Sequence, residues 1–175
     1  MSFLCSREGG FAAAFQEAEG EYGPVDFVSE PLSFPFTDYY QREMGKGLVR
    51  RMVGFGPLIS PEQAVSVKLR TNRLENRHLN ESGGRRINID PGYLAASRFV
   101  LVTGKDYSHR IYLGEGIYGE VTLLFRKGGF SPLPWTYPDY ASDPLLGIIN
   151  TLRQRYLWQL KQQGEKGKWE NGENG

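Results

Sequence analysis

Apolar and polar positions alternate with a strand-like period at the start of the chain and then with a helix-like period. Residues 3–5 predict a short first strand, and residues 8–22 predict a helix. The apolar side of that helix consists of Phe11, Ala14, Phe15 and Ala18. Gly23-Pro24 ends it. Residues 25–34 alternate again like a partly buried strand, and Pro31 within them predicts an edge position because proline cannot donate to a ladder.

A second helix is predicted over residues 60–79, after a strand at residues 48–55. Ser60 suits the N-cap, Pro61 suits the first helical position, and Gln63 completes a Ser-x-x-Gln capping box. These three residues predict where the helix begins.

Two faces of this second helix differ in polarity. The inward stripe consists of Ala64, Val67, Thr71 and Leu74. Lys68, Asn72 and Glu75 recur at four and three residues and share a neighbouring face. One interpretation is a solvated face on which Lys68 and Asn72 pair locally. The other points Lys68, Asn72 and Glu75 at a ligand.

Asp90 stands at a predicted junction between a strand and a helix. Residues 86–89 predict a strand, and Pro91 predicts the first position of a short helix that continues through residues 93–97. Asp90 is therefore an N-cap candidate, and capping alone accounts for an aspartate there. A buried strand is predicted at residues 99–103.

A β-hairpin is predicted around the loop Gly114-Glu115-Gly116. The paired residues are expected to be Leu113 with Ile117, Tyr112 with Tyr118, Arg110 with Glu120, and His109 with Val121. Arg110, Tyr112 and Glu120 then share one face, where Arg110 and Glu120 form a partly exposed cross-strand ion pair. His109 lies at the end of the opposite, apolar face, where a lone histidine is more often a hydrogen-bonded core residue than a base.

The end of the chain predicts an irregular aromatic segment, a helix and a polar tail. Residues 131–140 contain three prolines among aromatic residues. Asp143 caps and Pro144 opens a last helix that ends near Gln163, and residues 164–175 are expected to be disordered. The element order predicts a single α+β domain over residues 1–163, with a ferredoxin-like βαββαβ core extended by a further strand, a β-hairpin and a C-terminal helix.

Composition narrows the class of protein. The chain has 175 residues, enough for one core, and its 21 basic and 20 acidic residues nearly cancel. No basic run is longer than a pair, so nothing indicates nucleic-acid or anionic-membrane binding. One cysteine and two histidines are too few for a cysteine/histidine zinc site, and no apolar run approaches a membrane span. We expect a soluble protein of the reducing cytoplasm.

Candidate chemistry concentrates in residues 85–140, where polar residues are interleaved with aromatics. The polar members of this stretch include Asn88, Asp90, Lys105, Asp106, His109, Arg110, Glu120 and Asp139. The candidates for holding a small anionic ligand are Arg86, Lys105 and Arg110. The candidates for acid/base work or for binding a metal are Asp90, His109 and Glu120. Further candidate ligand contacts are Lys68, Asn72 and Glu75 on the second helix, and Tyr112 and Asp139 within the stretch.

A binding module without chemistry is the alternative. The aromatic residues 135–140 and the FTDYY segment, in a predicted loop or single turn at residues 36–45, would then form a partner surface. Convergence of Asp90, His109 and Glu120 in one cleft would favour an enzyme. The predicted hairpin register, which separates His109 from Glu120, counts against a joint catalytic pair.

Known catalytic motifs are mostly absent. Gly114-x-Gly116-x-x-Gly119-x-Val121 matches the glycine-rich loop of protein kinases, but no other kinase motif follows it. The same glycines fail as a dinucleotide fingerprint because a strand and not a helix follows them. A Walker loop, Gly-x-Ser-x-Gly, His-Glu-x-x-His and metal-binding cysteine pairs are missing.

Five blocks in order carry a family resemblance: FTDYYQREMG, KLRTNRLE, RRINIDPGYL, KDYSHRIYLGEGIYGEVTL and LPWTYPDY. They resemble the bacterial family catalogued as domain of unknown function four-four-one-six, a name that implies no activity and no cofactor. Some members are labelled GTP-binding. This sequence lacks a phosphate loop, and Gly104-Lys105-Asp106 does not have the spacing of the guanine-reading Asn-Lys-x-Asp. Nucleotide binding without a phosphate loop therefore stands only as a further alternative.

Overall fold

The computed structural model describes residues 1–6, 11–35 and 40–170. Within these residues the chain forms two antiparallel sheets and three helices of 12 residues or more. The predicted helix start at residues 8–10, most of the FTDYY segment and residues 171–175 of the predicted polar tail lie outside the described residues. No helix of the described ranges is long and apolar enough to cross a membrane.

The first sheet is built largely from the first half of the chain. Its strands are β1 (Ser2–Ser6), β2 (Val25–Val28), β3 (Leu32–Ser33), β4 (Leu48–Phe55) and β5 (Ile87–Asp90). The order is β2-β4-β1-β5, β3 also pairs with β4, and every pair is antiparallel. Pro31 lies between β2 and β3, which confirms the predicted interruption of an edge strand.

Helices α1 (Phe11–Tyr22) and α3 (Ala64–Arg77) cover one face of this sheet, and the short helix α2 (Gln41–Met44) precedes β4. The core on that face consists of Phe3, Cys5, Val49, Val53, Ile87 and Ile89 from the strands and Ala14, Ala18 and Leu74 from the helices. A 3₁₀ turn, Pro61–Gln63, leads into α3, and the Ser60 N–H donates to Gln63 Oε1 at 2.9 Å. The predicted helix start is therefore confirmed.

The second sheet is built from the second half of the chain. Its strands are β6 (Gly92–Ala95), β7 (Arg98–Thr103), β8 (Ile111–Gly114), β9 (Ile117–Arg126) and β10 (Gly129–Pro132). The order is β10-β9-β7-β6, and β8 also pairs with β9. Helix α4 (Asp143–Glu170) packs Leu145 and Ile149 against Phe99 and Leu123. Met52 of β4 joins the same cluster, so the two sheets share this core.

The predicted short helix after Pro91 is wrong. Gly92–Ala95 form β6, which pairs antiparallel with β7, and the Val102 N–H donates to the Pro91 carbonyl at 3.0 Å. The fixed φ of proline suits an extended chain as well as a first helical turn, so pairing with β7 decides the conformation. Asp90 is therefore the last residue of β5 and not a helix N-cap.

The hairpin register is partly as predicted. Tyr112 lies opposite Tyr118, but Gly114 and not Leu113 lies opposite Ile117, with a bulge between the two pairs. Glu115 and Gly116 have φ values of 52° and 73°, which are typical of a two-residue hairpin loop. The predicted apolar face is buried only in part, since Ile117 and Leu123 are buried but Ile111 is 72% exposed.

The last helix is longer than predicted. It begins at Asp143 as expected but continues past Gln163 to Glu170. Gly164 does not end it, because a single glycine costs a helix only about 1 kcal/mol.

Replacement of Gly92 by alanine tests the corrected strand. A Cβ atom at Gly92 would lie 2.4 Å from the Val100 carbonyl oxygen. We expect Gly92→Ala to lower the free energy of unfolding by roughly 1–3 kcal/mol, measured by urea denaturation, because backbone must shift to admit the methyl group. In a helix the same substitution would stabilise by up to about 1 kcal/mol, so the sign separates the two structures.

Gly104→Ala is the matched control, since a Cβ atom there has open space around it. A stabilising Gly92→Ala would contradict the tight pairing of β6 with β7.

Candidate functional site

The structure divides the predicted site residues between two polar clusters, one associated with each sheet. The first, called the Arg85 network, consists of Glu43, Glu75, Arg85, Asn88 and Asp90. The second, called the Glu120 cluster, consists of His109, Arg110 and Glu120. Convergence of Asp90, His109 and Glu120 would favour an enzyme, but only His109 and Glu120 lie together, and Asp90 belongs to the other cluster.

Arg85 organises the first cluster. Its Nε and Nη2 atoms each donate to one oxygen of Glu43 at 2.8 Å, which is a bidentate pair. Its Nη1 donates to Asn88 Oδ1 at 2.8 Å and lies 3.5 Å from Glu75 Oε2. The Asn88 amide then donates to Asp90 Oδ2 at 2.8 Å. One guanidinium therefore links α2, α3 and β5.

The surroundings of the two glutamates in this network shift their pKa values in opposite directions. The hydrogen bonds from Arg85 lower the pKa of Glu43 from 4.5 to about 2, so that this carboxylate is ionised at neutral pH. Burial has the opposite effect on Glu75, whose pKa is raised although Lys68 opposes the shift. Glu75 is therefore the more easily protonated of the two.

Lys68 and Glu75 complete the backbone hydrogen bonding of β5. The Ile89 N–H donates to Glu75 Oε1 at 2.6 Å, and Lys68 Nζ donates to the Ile89 carbonyl at 3.1 Å. Because β5 is the last strand in its sheet, α3 here supplies the partners that a further strand would otherwise provide.

The solvated interpretation of this helix face is wrong. Lys68 is 7% exposed and Glu75 is 5% exposed, and Lys68 bonds to Ile89 and not to Asn72. The ligand-binding alternative has no support either, because the two charged groups are already engaged with the backbone. Asn72 is half-buried on α3 and joins neither cluster within the described residues.

Asp139, a predicted ligand contact, forms a buried ion pair with Arg50 of β4. The Arg50 guanidinium lies 4.7 Å from the Phe34 ring centroid and 5.0 Å from that of Tyr140. Asp90 also acts electrostatically on Arg50. The segment that precedes α4 is thereby fastened to the first sheet.

Polar atoms beside this ion pair lack hydrogen-bond partners among the described residues. They are Ser2 Oγ, Arg50 Nε and the Tyr140 hydroxyl, all buried. Burial raises the pKa of Tyr140, so its hydroxyl stays protonated and remains a donor. The inner face of the first sheet therefore keeps unused hydrogen-bonding capacity next to Arg50.

Glu120 joins two cationic or potentially cationic side chains in the second cluster. Arg110 Nε donates to Glu120 Oε2 at 2.7 Å, and His109 Nε2 lies 3.0 Å from the same oxygen. Arg110 Nη1 also donates to the Lys105 carbonyl at 2.9 Å. The His109 ring stacks on Trp135 with a centroid distance of 5.6 Å. Since a carboxylate only accepts, Nε2 carries a proton and Nδ1 is left as the basic atom of a neutral imidazole.

The expected separation of His109 from Glu120 is therefore wrong. Both His109 and Arg110 precede β8, which begins at Ile111, so the strict alternation of a strand does not apply to them. Arg110 and Glu120 do form the expected ion pair, but their side chains are only 4% and 1% exposed. The pair is buried, so exchanging its two residues is not equivalent to exchanging two charges on the surface.

Arg86, Tyr112 and Lys105 lie outside the core of either cluster. Arg86 lines a pocket of about 350 Å³ together with Ser6, Glu43, Met44, Gly45, Asn80 and Arg85. Tyr112 is exposed on β8, and its ring lies 5.3 Å from that of Tyr118. Lys105 contributes its backbone carbonyl. A larger pocket, about 380 Å³, lies elsewhere and contains none of the predicted site residues, all of which are described.

Sequence reasoning assigned no role to Glu43, Arg50, Arg85 or Asn88. One signal was available for Asn88, since residues two apart on a strand share a face and Asp90 was already a candidate. Glu43 pairs with Arg85, which lies 42 positions later in the chain, and Arg50 pairs with Asp139, which lies 89 positions later. No local sequence pattern encodes contacts over such separations.

Metal ligation is not supported in the part of the chain that is described. Within it, no group of three or more His, Cys, Asp or Glu side chains is arranged to hold a metal ion.

Loss of the Glu75 carboxylate should destabilise the fold. Glu75→Ala leaves the buried Ile89 N–H without its acceptor and the buried Lys68 without a nearby carboxylate, which we expect to cost roughly 1–3 kcal/mol or more in urea unfolding. The exposed Asn76→Ala on the same helix is the control. The double variant Lys68→Met/Glu75→Leu should cost less than the sum of the single losses, because no unpaired charge remains. A Glu75→Ala value equal to that of the control would contradict the role assigned to α3.

Glu43→Gln should flatten the acid side of the stability curve. Because the pKa of Glu43 falls from 4.5 to about 2 on folding, its contribution is present above pH 4.5 and is lost as the pH falls towards 2. The unfolding free energy of the wild-type chain should thus fall more steeply across this window than that of the variant. The exposed Glu81→Gln is the control, and parallel wild-type and Glu43→Gln curves would count against the Arg85 pair.

Comparison with known proteins identifies a family for this chain but does not identify an activity. Residues 1–156 match the family described as a domain of unknown function, DUF4416. No curated protein and no solved structure matches the chain. The match includes both sheets, the Arg85 network and the Glu120 cluster. Because it covers most of the sequence, the chain belongs to the DUF4416 family.

Proposed function

We propose that the chain binds a small anionic molecule in the pocket beside Arg85 and Arg86. The observation that carries the proposal is that the Arg86 side chain lies at this pocket without a carboxylate partner among the described residues. Its side chain is exposed at this pocket, and no carboxylate of the described residues lies within ion-pair distance of its guanidinium. Arg85, in contrast, is neutralised by Glu43. Among the described residues, the pocket therefore carries one uncompensated positive charge.

The surroundings of Arg86 favour specific binding over a loose surface charge. Its backbone N–H donates to the His78 carbonyl at 3.0 Å, which fixes where its side chain starts. The neighbouring Arg85 is held on three sides by Glu43, Asn88 and Glu75. A planar guanidinium on a fixed backbone binds a carboxylate or phosphate through two parallel hydrogen bonds. A free organic acid and the phosphate of a nucleotide share this chemistry.

Acid/base chemistry at the Glu120 cluster is a weaker part of the proposal. His109 Nδ1 is a basic atom on an imidazole that Glu120 orients, as a general base requires. The cluster belongs to the other sheet, however, and does not line the pocket of Arg86. We therefore assign binding, and no reaction or metal, to this pocket.

A non-catalytic interaction module is the second candidate. It is favoured by exposed apolar side chains around β8 and the segment before α4, namely Tyr107, Ile111, Tyr112, Leu113, Trp135 and Tyr137. Large exposed apolar side chains, where they form one patch, are typical of partner sites. A folded chain that responds to none of the anions below would favour this candidate.

The finer description of fold and location belongs to the same proposal. The strand order β2-β4-β1-β5, with α1 and α3 on one face, supports a ferredoxin-like unit in the first sheet. The buried free thiol of Cys5 suits a reducing cytoplasm, and the family resemblance suits a bacterial source.

Titration of the full chain with phosphate, citrate and GTP tests the binding proposal. We expect at least one of these anions to raise the melting temperature, since a ligand that binds only the folded state stabilises it. Arg86→Gln should weaken that binding by about tenfold or more, as expected for loss of a charged hydrogen-bond donor. Arg98→Gln, another exposed arginine, is the matched control.

Equal responses of the wild-type chain and Arg86→Gln would contradict the proposal. A response to GTP alone would identify a nucleotide, whereas equal responses to phosphate and GTP would identify the phosphate group as what is recognised.

A further inference from the structure

The larger pocket lies between α3, α4, the end of β4 and β6. Its volume is about 380 Å³, within the range of small-molecule sites. Residues 57–61, which connect β4 to α3, close one side of it. None of the residues assigned to the anion pocket lines it. The two pockets are therefore separate.

Each helix presents one continuous face to this pocket. The contribution of the α3 segment is Gln63, Ser66, Val67 and Arg70. The contribution of α4 is Leu152, Arg155, Tyr156 and Gln159. Both sets have the spacing i, i+3, i+4, i+7 that places side chains on one side of a helix. One face of each helix therefore borders the pocket.

The floor of the pocket is apolar. Phe55, Leu94 and Phe99 come from three different strands, and Leu58 comes from the connection before α3. A ligand that fills this space must therefore carry a hydrophobic body.

Charge at the pocket is unequally compensated. Of its two carboxylates, Asp26 lies 3.2 Å from Arg155, and Glu21 lies 3.9 Å from Arg77, which also pairs with Glu17 at 2.8 Å. Arg70 has no carboxylate within ion-pair distance among the described residues. Its charge acts on the nearby Tyr22 hydroxyl, which donates to the Val67 carbonyl at 3.4 Å. Arg70 thus offers a cationic group at a largely apolar cavity.

We infer that this pocket binds a hydrophobic carboxylic acid, with its carboxylate on Arg70 and its apolar body against Phe55, Leu94 and Leu152. A neutral hydrocarbon would leave Arg70 unpaired against the apolar ligand, and a small hydrophilic anion would leave the apolar floor in contact with water. An amphipathic monoanion satisfies both ends. The inference is independent of anion binding at Arg86.

Decanoate, kept below its micellar concentration, is the probe for calorimetric titration of the full chain. We expect saturable binding by the wild-type chain and shifts of the Leu94 and Leu152 methyl resonances. Decanol, which has the same chain without the charge, should bind more weakly. Arg70→Gln should reduce decanoate affinity by about tenfold or more without changing that for decanol.

Three variants locate the binding. Arg73→Gln, exposed on the same helix and absent from the pocket lining, should bind decanoate as the wild-type chain does. Ser66→Trp should fill the cavity and abolish binding of both probes. Arg98→Gln, exposed on β7 and outside both pocket linings, should also leave decanoate binding unchanged.

The inference would be overturned by any of three results: no decanoate binding by the wild-type chain, equal affinities of wild type and Arg70→Gln, or methyl shifts confined to residues outside the pocket. If Ser66→Trp does not fold, the methyl shifts and the Arg70→Gln comparison still decide the question.

Discussion

The outer edge of β5 is the constraint on which the arrangement of helices and sheets depends. Ile89 presents a backbone N–H and a carbonyl at that edge, and buried backbone groups must find partners. Glu75 and Lys68 of α3 supply them, at 2.6 Å and 3.1 Å. Because both side chains are buried with their charges, they also need countercharges, and Arg85 lies 3.5 Å from Glu75. The position of α3 is thereby fixed by polar contacts as well as by its apolar stripe.

The same need for compensation explains why charged residues meet in clusters beside both sheets. In both clusters an arginine pairs with a carboxylate, and a third polar group adds a hydrogen bond to the pair. Asn88 accepts from the guanidinium of Arg85, and His109 contacts the carboxylate of Glu120. Charged groups that are fully engaged in this way stabilise one arrangement of the chain, and they are poor candidates for recognising a ligand. Arg86 and Arg70 each line a pocket and have no carboxylate partner in the described structure, so they are the better candidates.

The two proposed sites differ in what they demand of a ligand. The pocket at Arg86 is polar and shares Arg85 with the network that anchors β5, so it suits a compact anion. The pocket at Arg70 has an apolar floor of Phe55, Leu58, Leu94 and Phe99, so it suits an anion with a hydrophobic body. Both depend on the position of α3, since Arg70 lies on this helix and Glu75 of this helix contacts Arg85.

The sequence by itself determined the elements whose signals are local: the strand Leu48–Phe55, the capped start of α3, the break at Pro31 and the Tyr112–Tyr118 pairing. These depend on propensity, capping and alternation within a few residues. Only the tertiary structure decided that Gly92–Ala95 is a strand, that Lys68 and Glu75 are buried, and that His109 and Glu120 meet. The first outcome depends on pairing with β7, and the second depends on the backbone of Ile89. The third depends on the start of β8 at Ile111, after His109, so that His109 does not follow the alternation of the strand. Local periodicity predicts on which face of its own helix or strand a side chain lies. It does not predict which backbone edge or which opposite charge that side chain will contact in the folded protein.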